Sequence, residues 1–275
     1  MNRKMNRNVL IFSIVVIISG WIGFGLDVLL QNNFTKGIGL LLFILAPLVM
    51  SVILTLIEKK KLTSIGLKLN FRKNIKWYIL CLFFDFVVFG CIYCLGLVFN
   101  GIEASKTPNI FLVIVLTAIY AIPTTFFKNI FEEVGWRGYL VPRLFEENNK
   151  VQNHLFISIV WATWHLPYWL FFLNREFLLS NTPYGIILTI IISYIALFFL
   201  AVIYNNIRLI TDSVWPVIII HTMFNVLAMS YYQNIQYKAS SEWLFSPSSY
   251  GVIYLIIILF VSVLFLRMKI KHNTK

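Results

Sequence analysis

Two adjacent glutamates and an arginine mark the end of a long apolar stretch. The segment 131–140 reads FEEVGWRGYL and contains Glu132, Glu133 and Arg137. In a helix, Glu133 and Arg137 lie four residues apart on one face, so they can form an ion pair. Glu132 points about 100° away from Glu133, so we expect it to stay free of that pair. An unpaired carboxylate in a low-dielectric site holds a proton more readily, which suits a general base.

Histidine and asparagine side chains interrupt two later apolar stretches. His165 ends the sequence WATWH, and His221 and Asn225 lie four residues apart, on one face of a further predicted helix. Ionisable groups inside membrane helices are rare and often functional. The glutamates and the arginine, taken by themselves, could be charges at the membrane interface where a helix ends. Such charges would not explain polar groups on three helices, so we expect one cavity to collect them.

A carboxylate, two imidazoles and a side-chain amide are the parts of a hydrolytic site. Glu132 with a histidine can deprotonate a water. His221 can position that water or protonate the leaving amine, and Asn225 can donate to the developing oxyanion. Alternatively, His165 and His221 with a carboxylate can bind zinc, which acidifies its bound water. The sequence leaves both versions open, but it lacks HExxH and GxSxG, the motifs of other hydrolase types.

The composition indicates a membrane protein. Of the 275 residues, 59% are hydrophobic and 12% are charged, whereas soluble domains have roughly 25% charged residues. The net charge of +12 comes from basic residues in short segments between apolar runs, so membrane topology and lipid headgroups explain it better than nucleic acid does. The three cysteines have neither metal-site spacing nor enough partners for a disulfide framework.

Eight apolar runs are long enough to be membrane helices, which need about 20 residues. They cover 9–30, 37–57, 77–99, 110–131, 154–173, 184–204, 213–231 and 250–266. We therefore expect one all-α, polytopic membrane domain over 1–275. The first run is too long for a signal peptide and is expected to remain uncleaved.

Lysine and arginine predict the orientation of these helices. Alternate loops are strongly basic, and the others hold only Lys36, Lys106, Arg175 and Lys238. The positive-inside rule then places both termini and the mouth of the cavity in the cytoplasm. The basic segment 58–76 is expected to lie along that face.

Three charged residues inside the runs have simpler interpretations. We expect Asp27 and Asp85 to lie at a helix end or to be satisfied by a partner. Lys128, one turn before Glu132, is expected to extend to the surface.

Three motifs resemble those of the CAAX prenyl endopeptidase and bacteriocin-processing family of intramembrane proteases, also called Abi or CPBP. Glu132 to Arg137 resembles its EExxxR motif. The second motif, an aromatic residue followed four later by histidine, resembles Trp161 to His165, although phenylalanine is common where Trp161 stands. His221 to Asn225 resembles HxxxN. The region that carries the resemblance spans about 110–229.

This resemblance implies a glutamate-dependent membrane endopeptidase. Its catalytic groups map to Glu132, His165, His221 and Asn225, and Glu133 and Arg137 take the supporting role. Both a metal-dependent and a metal-free mechanism have been proposed for the family, so the cofactor is either a divalent metal such as zinc or none.

The resemblance also implies partners. Eukaryotic members trim prenylated C-termini, and bacterial members act in peptide maturation or bacteriocin self-immunity. The Ile-, Asn- and Lys-rich composition suggests a low-GC bacterium. We expect a membrane-associated peptide or protein as the substrate, the lipid bilayer as the surroundings and no nucleic acid; the oligomeric state is open.

Two other functions fit parts of the sequence. An immunity or scaffold protein of the same fold would act by binding and would not need Glu132. A transporter or proton relay would use the same ionisable residues to carry ions, but the sequence shows no internal repeat of the kind common in transporters.

Overall fold

The fold is known from a computed structural model of the chain. It describes residues 7–34, 37–103, 105, 107–145, 151–172, 185–238, 241–246, 248 and 251–268. These residues form ten α-helices, one 3-10 turn and two π-helical segments. The helices are α1 (Arg7–Leu29), α2 (Ile38–Ile57), α3 (Phe71–Val98), α4 (Ile110–Glu133), α5 (Val141–Leu144), α6 (Val151–Pro167), α7 (Ile186–Thr211), α8 (Trp215–Asn234), α9 (Glu242–Phe245) and α10 (Val252–Arg267). The π-helical segments are Val134–Leu140 and Tyr168–Phe172, and the 3-10 turn is Leu62–Ile65.

Six helical stretches in the described part of the chain are long and apolar enough to cross a membrane. They are α1, α2, α3, α7 and the longer stretches Ile110–Leu144 and Val151–Phe172. Their outward faces expose large apolar side chains, such as Ile14 on α1 and Phe83 on α3, which lipid tails would surround. The predicted all-α, polytopic membrane fold is confirmed.

Two of the eight predicted spans form helices that do not meet this criterion. The run 213–231 becomes α8, whose polar side chains His221 and Thr222 are buried against other helices. The run 250–266 becomes α10, which has 16 residues and is about 24 Å long, shorter than the hydrocarbon core of roughly 30 Å. Six of the eight expected spans thus meet the criterion among the described residues, and the full number of eight stays a prediction.

The last third of the basic segment 58–76 is helical, and the predicted position of the segment along the membrane surface stays a prediction. Helix α3 begins at Phe71, six residues before the predicted run. The 3-10 turn before it buries Ile65 against the bundle. Part of the basic segment thus belongs to the packed fold.

Helices α1 and α2 pack closely because each has a glycine at the contact. A Cβ atom on Gly23 or on Gly39 would collide with the backbone of the other, so only glycine permits this approach. Asp27, at the end of α1, accepts a hydrogen bond from the Gly39 backbone N–H at 3.0 Å and satisfies a free donor in the first turn of α2. Asp85 accepts a hydrogen bond from the Tyr254 hydroxyl at 3.0 Å. Each aspartate therefore has one oxygen satisfied by a partner, while its Oδ2 is buried without a hydrogen-bond partner among the described residues.

Glu58 joins the end of α2 to the far end of the α4 stretch. Its carboxylate accepts hydrogen bonds from Arg143 Nη2 at 2.7 Å and from the Tyr139 hydroxyl at 2.7 Å. Burial alone would raise the pKa of Glu58, but the hydrogen bonds from Arg143 and Tyr139 outweigh it, so the pKa is lower than its ordinary value.

Candidate active site

Helix α4 changes its hydrogen-bond pattern directly after the two glutamates. The chain stays helical through Val134–Leu140, but these residues form a π-helix, and the Val141 N–H donates to the Trp136 carbonyl five residues back. Helix α5 then continues the same helical stretch to Leu144. The sequence did not predict the π-helix. Such segments are uncommon and are found mostly at functional sites.

Two glycines let neighbouring segments approach the π-helix. A Cβ atom on Gly135 would lie 2.6 Å from Pro47 Cβ on α2. A Cβ atom on Gly138 would collide with the side chain of Ile65. A real Cβ atom essentially never lies within 3.0 Å of another heavy atom, so both positions need glycine to keep α2 and the 3-10 turn in contact with the site.

Arg208 on α7 binds the backbone of the π-helix. Its Nε donates to the Arg137 carbonyl at 3.1 Å, and its Nη1 pairs with Asp212 at 3.0 Å. Gly66 adopts a φ of +79°, and a Cβ atom there would lie 2.5 Å from Arg208 Nη2. Arg208 is buried, although in the sequence it lies between two predicted helices.

Glu133 connects the arginine of the π-helix to α8. Its Oε1 accepts from Arg137 Nη1 at 3.0 Å and from His221 Nδ1 at 2.7 Å. The predicted ion pair between Glu133 and Arg137 is therefore present, and both side chains are completely buried. A carboxylate that accepts from Nδ1 fixes the tautomer and the orientation of the His221 ring.

Two aromatic rings complete the surroundings of Arg137. The guanidinium carbon lies 4.3 Å from the centroid of the Trp161 ring and 5.0 Å from that of Tyr204. Cation–π contacts at such distances are favourable, more so where water is excluded. Trp161, interpreted from sequence as a packing residue, thus also contacts a site residue.

Glu132 is not the free carboxylate that the sequence predicted. Its Oε1 lies 3.3 Å from Lys128 Nζ, four residues earlier on α4. The other carboxylate oxygen, Oε2, is buried without a hydrogen-bond partner among the described residues. From the sequence, Lys128 was expected to extend to the surface, but its spacing of four residues from Glu132 puts both side chains on the same helix face.

His165 on α6 is oriented by its own helix. Its Nδ1 lies 2.8 Å from the Trp161 carbonyl, which can only accept, so Nδ1 carries the proton in the neutral ring and Nε2 keeps a lone pair. The ring stacks on Trp169 with centroids 5.4 Å apart and 21° between the planes. Glu132 interacts electrostatically with both His165 and His221.

Asn225 is held by a residue that the sequence analysis missed. Its Nδ2 donates to Asn129 Oδ1 at 3.2 Å, and Asn129 Nδ2 donates to Thr222 Oγ1 at 3.2 Å. Asn129 is completely buried. Its position four residues before Glu133, on the same helix face, was the signal that could have identified it.

The chain from α4 to α8 also matches a known family. Residues 110–227 match the family model described as type II CAAX prenyl endopeptidase, Rce1-like. Over this stretch, called here the CAAX protease segment, the chain is similar to the CAAX protease family. A comparison with curated proteins found no match. All six predicted site residues, from Glu132 to Asn225, lie inside the CAAX protease segment.

The described residues of the CAAX protease segment do not fit a three-ligand metal site. Among the parts of the chain that the structure describes, no three His, Cys, Asp or Glu side chains come together as possible metal ligands. A catalytic zinc usually has three protein ligands. The Nδ1 atoms of His165 and His221 already have acceptors, so only their Nε2 atoms could bind a metal. The proposed metal role of these two histidines stays a prediction, and the mechanism below uses no metal.

Proposed function

We propose that this protein is an intramembrane endopeptidase that hydrolyses a peptide bond of a membrane-associated protein or peptide with a water activated by glutamate and histidine. One observation carries the proposal: Glu132 Oε2 is buried without a hydrogen-bond partner among the described residues, as is Glu133 Oε2, while Glu133 Oε1 accepts from both Arg137 and His221. Burying an unsatisfied carboxylate oxygen is costly, and this cost is expected where the oxygen binds a reactant.

The two histidines supply acceptors for the water protons. Their Nδ1 atoms donate to Glu133 and to the Trp161 carbonyl, so both Nε2 atoms have lone pairs in the neutral rings. A water between Glu132 and a histidine gives its proton to the carboxylate as its oxygen attacks the carbonyl carbon of the peptide. Glu133 stabilises His221 whenever the ring becomes protonated.

Asn225 is the donor for the tetrahedral intermediate. Its amide nitrogen has two hydrogens, and Asn129 accepts one of them. The second can donate to the oxyanion that forms when the carbonyl bond opens. When the C–N bond breaks, the amine takes the proton that Glu132 received from the water, directly or through Nε2 of His221, and the products are a free carboxylate and a free amine.

Cleavage by the purified protein tests this proposal. Quenched peptides with and without a lipid anchor are incubated with the wild type in detergent and in liposomes. Glu132→Ala and His165→Ala should each abolish cleavage. Glu242→Gln is the matched control, since Glu242 lies on α9, outside the site, and should cleave at the wild-type rate. Cleavage that persists in Glu132→Ala would reject the mechanism.

Asn225→Ala tests the oxyanion donor separately. Loss of one such donor lowers kcat by about 10²- to 10³-fold, with little change in KM. Asn234→Ala is the control on the same helix, since the Asn234 side chain donates to the Ser230 carbonyl. A change in KM alone would mean that Asn225 binds substrate without stabilising the intermediate.

The same variants separate catalysis from binding. An immunity or scaffold protein of this fold would keep its cellular effect after Glu132→Ala, because binding does not need a general base. An endopeptidase would lose that effect. We also propose, from the distribution of basic residues, that both termini and the mouth of the cavity face the cytoplasm; reporter fusions at the termini test this orientation.

A further inference from the structure

The ion pair between Lys128 and Glu132 differs in kind from the pair beside it. Glu133 and Arg137 are both completely buried. By contrast, the Glu132 side chain is 1% exposed and the Lys128 side chain is 36% exposed. Lys128 therefore links the proposed general base to the accessible surface of the protein.

The face of α4 beyond Lys128 is open. Thr124, one turn earlier on the same face, is exposed, and its hydroxyl donates to the Ala121 carbonyl of its own helix. The ring of Tyr168, from the second π-helical segment, lies 5.9 Å from Lys128 Nζ. A ligand that approaches Glu132 along this face meets the Lys128 ammonium first.

We propose that Lys128 binds a carboxylate of the peptide substrate and so determines which peptides are cleaved. This inference depends on the proposed endopeptidase function. An ammonium is a compact charge with three donors and no acceptor. The anionic groups that an ordinary peptide offers to it are its C-terminal carboxylate and the side chains of Asp and Glu.

The same exchange would prepare the general base. Without substrate, Lys128 occupies Oε1 of Glu132, so one oxygen of the base is already engaged. A substrate carboxylate that reaches Lys128 from the exposed side shares or replaces this contact. The long, flexible lysine side chain can make the movement without a change in the helix. Release from the ammonium makes the Glu132 carboxylate a stronger base toward the water at its other oxygen, Oε2.

Paired peptides that differ in one charge test the specificity. One peptide ends in a free carboxylate, its partner ends in an amide, and a third combines the amide with a glutamate as its last residue. A hydrogen bond to a charged group raises kcat/KM by about 10- to 100-fold. The wild type should therefore cleave the carboxylate peptides with a kcat/KM higher than that of the amide peptide by this factor. Lys128→Met should remove the preference, and Lys128→Arg should keep most of it. The third peptide distinguishes a side-chain carboxylate from the C-terminal one as the source.

A lysine far from the site provides the control for net charge. Lys238 Nζ donates to Asn100 Oδ1 at 2.6 Å, outside the site. Lys238→Met removes the same charge and should keep the preference for carboxylates. Loss of preference in both variants would mean general attraction of acidic peptides to a basic protein, and would overturn the assignment to Lys128.

Binding to the variant Glu132→Gln tests the exchange without turnover. The substitution removes the competing carboxylate, so Lys128 becomes available. The peptide with a free carboxylate should bind at least several-fold more tightly to Glu132→Gln than to the wild type, and the amide peptide should bind equally to both. Adding Lys128→Met should cancel the gain. Equal binding of both peptides to Glu132→Gln would overturn the proposal.

The two proposals fail in different ways. Cleavage that depends on Glu132 but does not distinguish carboxylate from amide would leave the endopeptidase function standing and reject the role of Lys128. Cleavage that is independent of Glu132 would reject the function itself, and the role of Lys128 with it.

Discussion

The buried ion pair of Glu133 and Arg137 yields a prediction that tests the site without any substrate. Glu133→Gln preserves the shape of the side chain but leaves the Arg137 guanidinium buried without a counter-charge. At 3.0 Å and an effective dielectric constant near 20, the Coulomb attraction that is lost amounts to about 5 kcal/mol. Removing one partner of a buried pair typically costs about 3–5 kcal/mol of unfolding free energy.

The second half of this prediction concerns the double variant. Arg137→Met places an apolar side chain between the rings of Trp161 and Tyr204, so Glu133→Gln combined with Arg137→Met removes the uncompensated charge. Replacing both members of a buried pair by neutral residues is often close to neutral. The double variant should therefore be more stable than Glu133→Gln alone, by roughly 2 kcal/mol or more. Chemical unfolding in mixed micelles measures all three variants against the wild type.

The pair of Arg208 and Asp212 supplies the matched control. It has the same spacing of four residues, but the Asp212 side chain is 80% exposed. Exposed pairs contribute less than about 1 kcal/mol, so Asp212→Asn should change stability little. The reasoning is refuted if the effects of Glu133→Gln and Arg137→Met simply add, or if Glu133→Gln destabilises no more than Asp212→Asn does.

Two further predictions concern residues around the site. Gly66→Ala should destabilise the protein more than Gly185→Ala, and thermal unfolding in detergent measures the difference. Both glycines have positive φ, but only at Gly66 would the new Cβ atom meet a side chain, that of Arg208. Equal losses would mean that backbone strain alone accounts for the effect. The low pKa of Glu58 contributes stability that is complete above the ordinary carboxyl pKa of about 4.3 and is lost as the pH falls through the lower pKa of the folded state. Glu58→Gln should thus flatten the acid limb of the stability profile; an unchanged acid limb would show that the contact with Arg143 contributes nothing to it.

The sequence predicted those features that depend on local spacing. The pairing of Glu133 with Arg137 follows from a separation of four residues in a helix, and it is present. The apolar runs predicted membrane helices, because about 20 apolar residues in succession have few other stable environments. Six of the runs form candidate spans among the described residues, and the run 213–231 forms a helix whose polar side chains His221 and Thr222 are buried by its neighbours.

The features that the sequence did not predict depend on contacts between distant segments. The bond from His221 to Glu133 joins residues 88 positions apart, and the contact of Arg208 with the Arg137 carbonyl joins residues 71 positions apart. Residues this far apart in the chain follow no helical periodicity, so the sequence pattern does not reveal that they are in contact. The pairing of Glu132 with Lys128 is different: it is local, and it was missed because a lysine near a helix end was expected to extend to the surface.

The π-helix explains why the Arg208 side chain binds the backbone next to the charged residues of the site. A π-turn shifts the hydrogen bond of the Val141 N–H to the Trp136 carbonyl, so the Arg137 carbonyl loses its usual partner from the fourth following residue. Arg208 supplies a donor to that carbonyl at 3.1 Å. Without Arg208, the buried Arg137 carbonyl would be satisfied only by the ordinary α-helical bond from the Val141 N–H. An ordinary α-helix would rotate the residues after Glu133 relative to α8. Arg208, although it contacts no predicted catalytic side chain, therefore stabilises the backbone geometry on which the position of Arg137 depends.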